Sequence, residues 1–404
     1  MDDWDNTDLF SGSTQAERED LTRRQLLERG GLALAFLGAG PFLAACGGKK
    51  SAAPTVTSNG TPKAPNASGQ IAFISWQGYD APKAMASWKK AHHVTLKATY
   101  MGNHDEIQTK ILAARGSHSF DLITYAQAYK PLYKELNILT PIDENKIPNL
   151  KNLIPFFASD YKNFWVDADG TRTGVPLNWG YVALAYDSDA IKQPQTYRDL
   201  LDPSLKGKIG MPDDLIGVAQ LGAHVLGIDI TKMSKADFGE VKDFLRKMIA
   251  QTKGVSPTYG DLASRFAAGD VVAAFCGWPP IDQLAAGAGK KTIKTYLPKD
   301  GGVGYCDSMA IPTHARNTDT VHAWINATLE PKLAAQIDDS LGTATPVKPA
   351  IPLLTKDLQA AYPWNSLDGF FKKAPLYALA PFKSDKYVTW SDVVAAWQQL
   401  KAGG

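Results

Sequence analysis

Cysteine is scarce, with 3 residues in 404, which excludes a small scaffold held by disulfides. Neither sign of charge dominates. There are 43 basic and 41 acidic residues, a net +2, so the chain lacks the field that nucleic-acid binding requires. Common catalytic signatures are missing too: no G-x-S-x-G, no P-loop, no G-x-G-x-x-G after a strand and no H-E-x-x-H. What is present is a 44% hydrophobic chain with 34 glycines and 25 prolines. That is enough to bury a large core, in two domains or lobes.

The first 45 residues read as an address. Residues 1–22 are polar and acidic, Arg23-Arg24 follow, and Gly30 to Ala45 is a run of sixteen residues without a charge. A permanent membrane span needs about 20 apolar residues, so the run fits an export signal of the twin-arginine type better. It ends in Leu43-Ala44-Ala45-Cys46, which resembles a bacterial lipobox and would make Cys46 the lipidated residue. Without residues 1–45 the chain carries 39 basic and 33 acidic residues, +6. Residues 46–69 are then expected to form a disordered tether, since Gly47 to Gly69 holds no aromatic and no acidic residue. As a coil it would reach roughly 25 Å from a lipid surface.

From Gln70 the pattern alternates. Ile71–Ser75, Val94–Tyr100 and Phe120–Tyr125 read as strands, separated by helices over 82–91 and 105–115, the second opened by Asn103 with Glu106. A second block follows: strand 208–211, helix 217–226, helix 235–251 capped by Ser234 and Asp237, helix 262–268, and strands 271–275 and 292–296. Residues 301–312 read as strand-like, with helices after them. Strands joined by helices predict an α/β fold with mainly parallel sheets. Two blocks with segments left over imply two lobes, several crossings, and an interlobe cleft. The expected division gives 70–173 and 307–345 to lobe 1, and 174–306 and 346–404 to lobe 2.

Chemistry in that cleft is read from loops that follow strands. Trp76 and Tyr79, Trp179, Asp213-Asp214, Trp278 with Asp282, and Tyr305 with Asp307 all sit there. A carboxylate gives an ammonium charge-assisted hydrogen bonds, and an aromatic face attracts the same cation. Core packing is the alternative for the aromatics, and helix capping for Asp213 or Asp214. Histidines His92, His93, His104 and His118 are best read as solvated, with no metal and no cofactor required.

These residues resemble the bacterial spermidine/putrescine-binding proteins of ABC importers. The strongest segment is Gly301-Gly302-Val303-Gly304-Tyr305-Cys306-Asp307-Ser308-Met309-Ala310-Ile311-Pro312. Supporting it are Ser75-Trp76 with Tyr79, Phe120-Asp121-Leu122-Ile123, Val175-Pro176 with Trp179-Gly180, Gly207-Lys208 before Asp213-Asp214, and Gly342 with Thr345-Pro346. The resemblance implies a two-lobed periplasmic-binding fold of type II that closes on its ligand, with crossovers near 171–175, 304–307 and 341–346. It implies no enzymatic activity, an ABC permease and ATPase as partners, a lipid anchor at the outer face of the cytoplasmic membrane, and a monomer that binds no nucleic acid.

Carried over by position, the implied ligand set is Trp76, Tyr79, Trp179, Asp214, Trp278, Tyr305 and Asp307, with Asp80, Tyr125 and Asp282 as further candidates. Three positions depart from the family pattern. Gly78 and Gly217 stand where relatives have acids, and Ala126-Gln127-Ala128 replaces a Ser-x-Tyr segment. The implied ligand is a small cationic amine such as putrescine or spermidine. An amino acid derivative in the same fold is the alternative, and a secreted hydrolase a more distant one. A disulfide between Cys276 and Cys306 suits an oxidising compartment, whereas strand alternation places Cys306 opposite Tyr305 and Asp307.

Overall fold

The computed structural model describes residues 61–101, 104–114, 116–159 and 161–403. The signal, Cys46 and the Asn103 cap expected from the sequence lie outside the described residues. The described residues from 61 onward form one compact unit.

The elements alternate as the periodicity requires. They are β1 (Gly69–Ser75), α1 (Ala86–Ala91), β2 (Val94–Tyr100), α2 (Asp105–Ala114), β3 (Leu122–Ala126), α3 (Lys130–Glu135) and β4 (Val175–Asp187). Then come β5 (Ile209–Gly210), α4 (Leu215–Val225), α5 (Lys235–Ile249), α6 (Tyr259–Ala268), β6 (Ala273–Gly277), α7 (Pro280–Gly287), β7 (Ile293–Tyr296) and β8 (Val303–Ala310). The C-terminal third adds α8 (Thr318–Thr328), α9 (Pro331–Leu341), α10 (Lys356–Ala361), α11 (Leu367–Lys373) and α12 (Trp390–Ala402). Local chemistry sets several boundaries. Ser234 and Asp237 form a reciprocal capping box at α5, and Gly269 and Gly342 end α6 and α9 in the left-handed conformation that a Cβ disfavours.

The strands form one curled sheet in the order β2-β1-β3-β8-β4-β6-β5, with β7 also on β4. Pairing is parallel where helices carry the chain back, in β2-β1-β3 and β5-β6. It is antiparallel wherever β4 or β8 takes part. The parallel character expected from the sequence therefore belongs to the two flanks. The crossing strands run antiparallel because one leaves the first lobe and the other returns to it.

The crossings meet each other. Val175–Val182 of β4 pairs with Val303–Met309 of β8. Ala344 exchanges both backbone bonds with Trp179, at 2.8 and 2.9 Å. All three expected crossover regions thus lie side by side and make the hinge of a two-lobed fold.

Two expected boundaries shift. The body begins before Gln70: Lys63 N donates to Asn145 O at 2.8 Å, Ala67 is buried, and Ser68 N donates to the Thr320 hydroxyl. Those backbone bonds hold a segment whose composition alone argues for a free tether. The C-terminal part also divides. Val347, Ala350, Phe370 and Phe371 join the cluster of Phe157, Trp165 and Trp324, whereas Leu379, Val393 and Trp397 join that of Val218, Val241 and Phe275. Packing area, not chain order, assigns these residues.

Candidate amine-binding site

β8 supplies the centre of the site. Residues directly opposite in an antiparallel pair share a face, so the register sets Asn178 beside Asp307, Gly180 beside Tyr305, and Trp179 beside Cys306 on the other side. Gly180 is required here. A Cβ would lie 2.5 Å from the Tyr305 hydroxyl and 2.7 Å from the ring, so the tyrosine lies flat across a strand that only glycine leaves open.

Asp307 is 6% exposed and accepts a short hydrogen bond from the Tyr79 hydroxyl. Burial first, and the nearby Asp214 carboxylate to a lesser degree, raise its pKa to about 6 against the opposing bond from Tyr79. Tyr79 is held in the turn after β1 by its own N–H, which donates to Trp76 O at 3.3 Å.

A chain of contacts runs from Tyr305 into the second lobe. Trp278 Nε1 donates to the Tyr305 hydroxyl at 2.7 Å, and the Trp278 ring lies 5.1 Å from that of Tyr259. Tyr259 donates to Asp214 Oδ2 at 2.7 Å. Asp214 also caps α4, its Oδ1 accepting from Gly217 N at 3.1 Å. Burial raises the Asp214 pKa as well, against the bonds from Tyr259 and Gly217. Two desolvated carboxylates therefore face a wall of Tyr79, Tyr305, Trp278 and Tyr259. No lysine or arginine pairs with either acid among the described residues.

Tyr79, Asp214, Trp278, Tyr305 and Asp307 thus come together. Trp76 borders them, half-buried, with its ring edge-on to His104 at 5.2 Å. That histidine is buried and its pKa falls to about 3 because nothing offsets desolvation.

Trp179 is placed elsewhere. It is fully buried, donates to Thr345 O at 2.9 Å, and packs on Phe157, Tyr362 and Phe371. Tyr125 is likewise fully buried, opposite Ser308 and so on the face away from Asp307. Asp80 accepts from the Tyr100 hydroxyl at 3.1 Å. Asp282 takes Thr295 N and Oγ1 at 2.8 and 2.7 Å, with burial raising its pKa to about 6. Asp80 and Asp282 are thus engaged by Tyr100 and Thr295, and none of the three bonds to Asp214 or Asp307.

The family departures have local causes. Gly78 has φ +91 with Leu341 against it, and a Cβ on Gly217 would meet Asp214 Oδ2 at 2.5 Å and Cys276 Sγ at 2.8 Å. Gln127, in the segment that replaces Ser-x-Tyr, accepts from Cys306 N at 2.8 Å and donates to Tyr377 O at 3.2 Å. Cys276 and Cys306 are both buried free thiols. Among the described residues no group of acids, histidines and cysteines could hold a metal ion, and no helix is long and apolar enough to cross a membrane.

Comparison with known proteins places this geometry. The model of the bacterial extracellular solute-binding proteins matches residues 83–364. The spermidine/putrescine-binding periplasmic protein of Escherichia coli (strain K12) is 26% identical over 289 residues, covering 71% of this chain and 80% of that protein. Two solved structures share the fold. The spermidine/putrescine ABC transporter substrate-binding protein PotD of Streptococcus pneumoniae is 20% identical, with a TM-score of 0.66 over 82% of this chain and 99% of the other. The Tp0655 (TpPotD) lipoprotein of Treponema pallidum is also 20% identical, with a TM-score of 0.68 over 83% and 100%. A two-lobed fold, a hinge of three adjacent crossings and a family match across most of the body agree: the chain belongs to the bacterial extracellular solute-binding proteins, alongside the spermidine/putrescine-binding members.

Proposed function

We propose that this protein captures a small organic diamine, putrescine-like, between its lobes and delivers it to the permease and ATPase of an ABC importer. The observation that carries the reading is the pair of desolvated carboxylates, buried Asp307 held by Tyr79 and half-buried Asp214 held by Tyr259, linked through Tyr305 and Trp278 and without a protein cation. Two ammonium groups supply the missing charge. Charge-assisted contacts at about 1.5–3 kcal/mol each and two or three cation–π contacts at about 0.5–2 kcal/mol give roughly 4–12 kcal/mol. A micromolar complex needs about 8 kcal/mol.

Two acids suit a diamine better than a triamine, and the space at Gly217 supports that preference. Gly217→Glu does not add a third carboxylate beside Asp214; it displaces Asp214 from its cap. The expected result is weaker putrescine binding with no gain for spermidine. A variant that gained spermidine affinity would contradict the packing argument. Export by Arg23-Arg24, anchoring through Cys46 and action as a monomer complete the proposal. Export and anchoring are in keeping with relatives named as periplasmic and as a lipoprotein, and palmitate labelling lost in Cys46→Ala tests the anchor.

The direct test is thermal unfolding against putrescine, cadaverine, spermidine, choline, γ-aminobutyrate, basic amino acids and sugars. A ligand that binds only the folded protein stabilises it by about 2.7 kcal/mol at a hundredfold excess over Kd. The largest shift is expected with the diamines. A shift with sugars or anions alone would overturn the amine site and leave the fold untouched.

A further inference from the structure

Asn178 is a residue of this site that no sequence pattern singled out. It lies on β4 directly opposite Asp307, and its neighbour Gly180 lies opposite Tyr305. Directly opposed residues share a face, so Asn178 is on the side of Asp307 and Tyr305. Its strand neighbour Trp179 enters the aromatic core instead. Asn178 is fully buried, and neither its Oδ1 nor its Nδ2 has a hydrogen-bond partner among the described residues. The amide N–H faces the Tyr79 oxygen, short of a formed hydrogen bond but near enough to favour the ionised form of that hydroxyl.

A buried amide with both ends unpaired is destabilising, since each group has lost water and gained nothing. Such a group, placed beside the site's most buried carboxylate, has the properties of one that is satisfied when ligand arrives. The chemistry that fits can be named. Asp307 offers carboxylate oxygens, Tyr79 donates its proton to Asp307 and keeps lone pairs free to accept, and Asn178 Oδ1 is a third acceptor. Three acceptors on one face of the site match the three N–H groups of a primary ammonium. A quaternary ammonium carries no N–H and could use only the charge of Asp307 and the aromatic faces.

We propose that Asn178, with Asp307 and Tyr79, forms a three-acceptor seat for a primary ammonium, so that Asn178 sets selection of primary over quaternary amines. This rests on the amine reading above and adds the residue that makes it selective. It also accounts for a polar residue at a strand position whose neighbours Leu177 and Trp179 are buried apolar groups.

The test uses Asn178→Leu, close in size and without polar atoms. Calorimetry measures putrescine and its fully N-methylated analogue, butane-1,4-bis(trimethylammonium). Wild-type protein is expected to prefer putrescine by at least a hundredfold. Asn178→Leu is expected to cut that preference at least tenfold, through weaker putrescine binding, while the ligand-free protein melts no lower than wild type because an unpaired buried amide has been removed. A preference unchanged in Asn178→Leu would overturn the proposal and leave the amine site standing. Absence of putrescine binding to wild-type protein would overturn both. Should Asn178→Leu fail to fold, Asn178→Ser reads the same ratio.

Discussion

Asp307→Asn is expected to weaken diamine binding at least a hundredfold and, in the same experiment, to stabilise the ligand-free protein at neutral pH. Both effects come from one buried charge. Removing one partner of a buried, hydrogen-bonded ion pair costs about 3–5 kcal/mol, and every 1.4 kcal/mol is a factor of ten in affinity. The asparagine keeps a carbonyl to accept from Tyr79, so the turn after β1 is not left unpaired. In the ligand-free protein the carboxylate is a burden, with its pKa raised from 3.8 to about 6 by burial and by Asp214.

The sign of the pH dependence follows. Between about pH 4 and 6 the folded state holds the Asp307 proton more firmly than the unfolded chain, so stability falls as pH rises through that window. The penalty is fully present above pH 6, where a shift of about two units corresponds to about 3 kcal/mol. Wild type and Asp307→Asn should therefore unfold at similar urea concentrations at pH 4 and diverge towards pH 7, with the variant more stable. Diamine affinity should fall as the wild-type protein is acidified below pH 6, because Asp307 takes a proton in place of the ammonium. A variant equally stable at pH 7 that binds putrescine as tightly as wild type would remove Asp307 from the site.

Much of this architecture was legible because its causes are local. The alternation of 94–100, the Ser234–Asp237 capping pair and the end of the helix at 268 each depend on a few adjacent residues. The site was legible only in part, since it depends on which strands become neighbours. Trp179 belongs to one of the supporting family segments and is conspicuous as an aromatic, yet the pairing of β4 with β8 turns it away from Asp307 and turns Asn178 towards it. A shift of one residue in a strand exchanges faces, and no signal within Asn178-Trp179-Gly180 reveals which face is which. Tyr259 was missed for another reason. The apolar spacing suggested a helix from Leu262, whereas Thr258 caps α6 so that it starts three residues earlier, at Tyr259, whose hydroxyl reaches Asp214. Asp80 and Asp282 show the converse: acids near the right sequence position, each engaged by a partner on its own side of the fold.

Trp179→Ala is expected to destabilise the ligand-free protein by about 3–5 kcal/mol, the range for truncating a buried tryptophan or phenylalanine. The side chain is the point where the crossings are fastened. Its backbone exchanges two bonds with Ala344, its indole N–H donates to Thr345 O, and its ring touches Phe157 before β4 and Tyr362, Phe370 and Phe371 after the last crossing. Alanine leaves a cavity among these rings and frees the Thr345 carbonyl in a buried place, two separate penalties. Trp179→Phe should recover most of the packing term and leave only the lost hydrogen bond, about 0.5–1.5 kcal/mol. Urea denaturation of the three proteins separates the terms. Trp179→Ala and Asp307→Asn are then expected to move stability at pH 7 in opposite directions, as befits a packed core ring and a buried carboxylate without a cation. If Trp179→Ala were as stable as wild type while losing putrescine, the ring would belong to the cleft, and the pairing that seats Asn178 beside Asp307 would be misread.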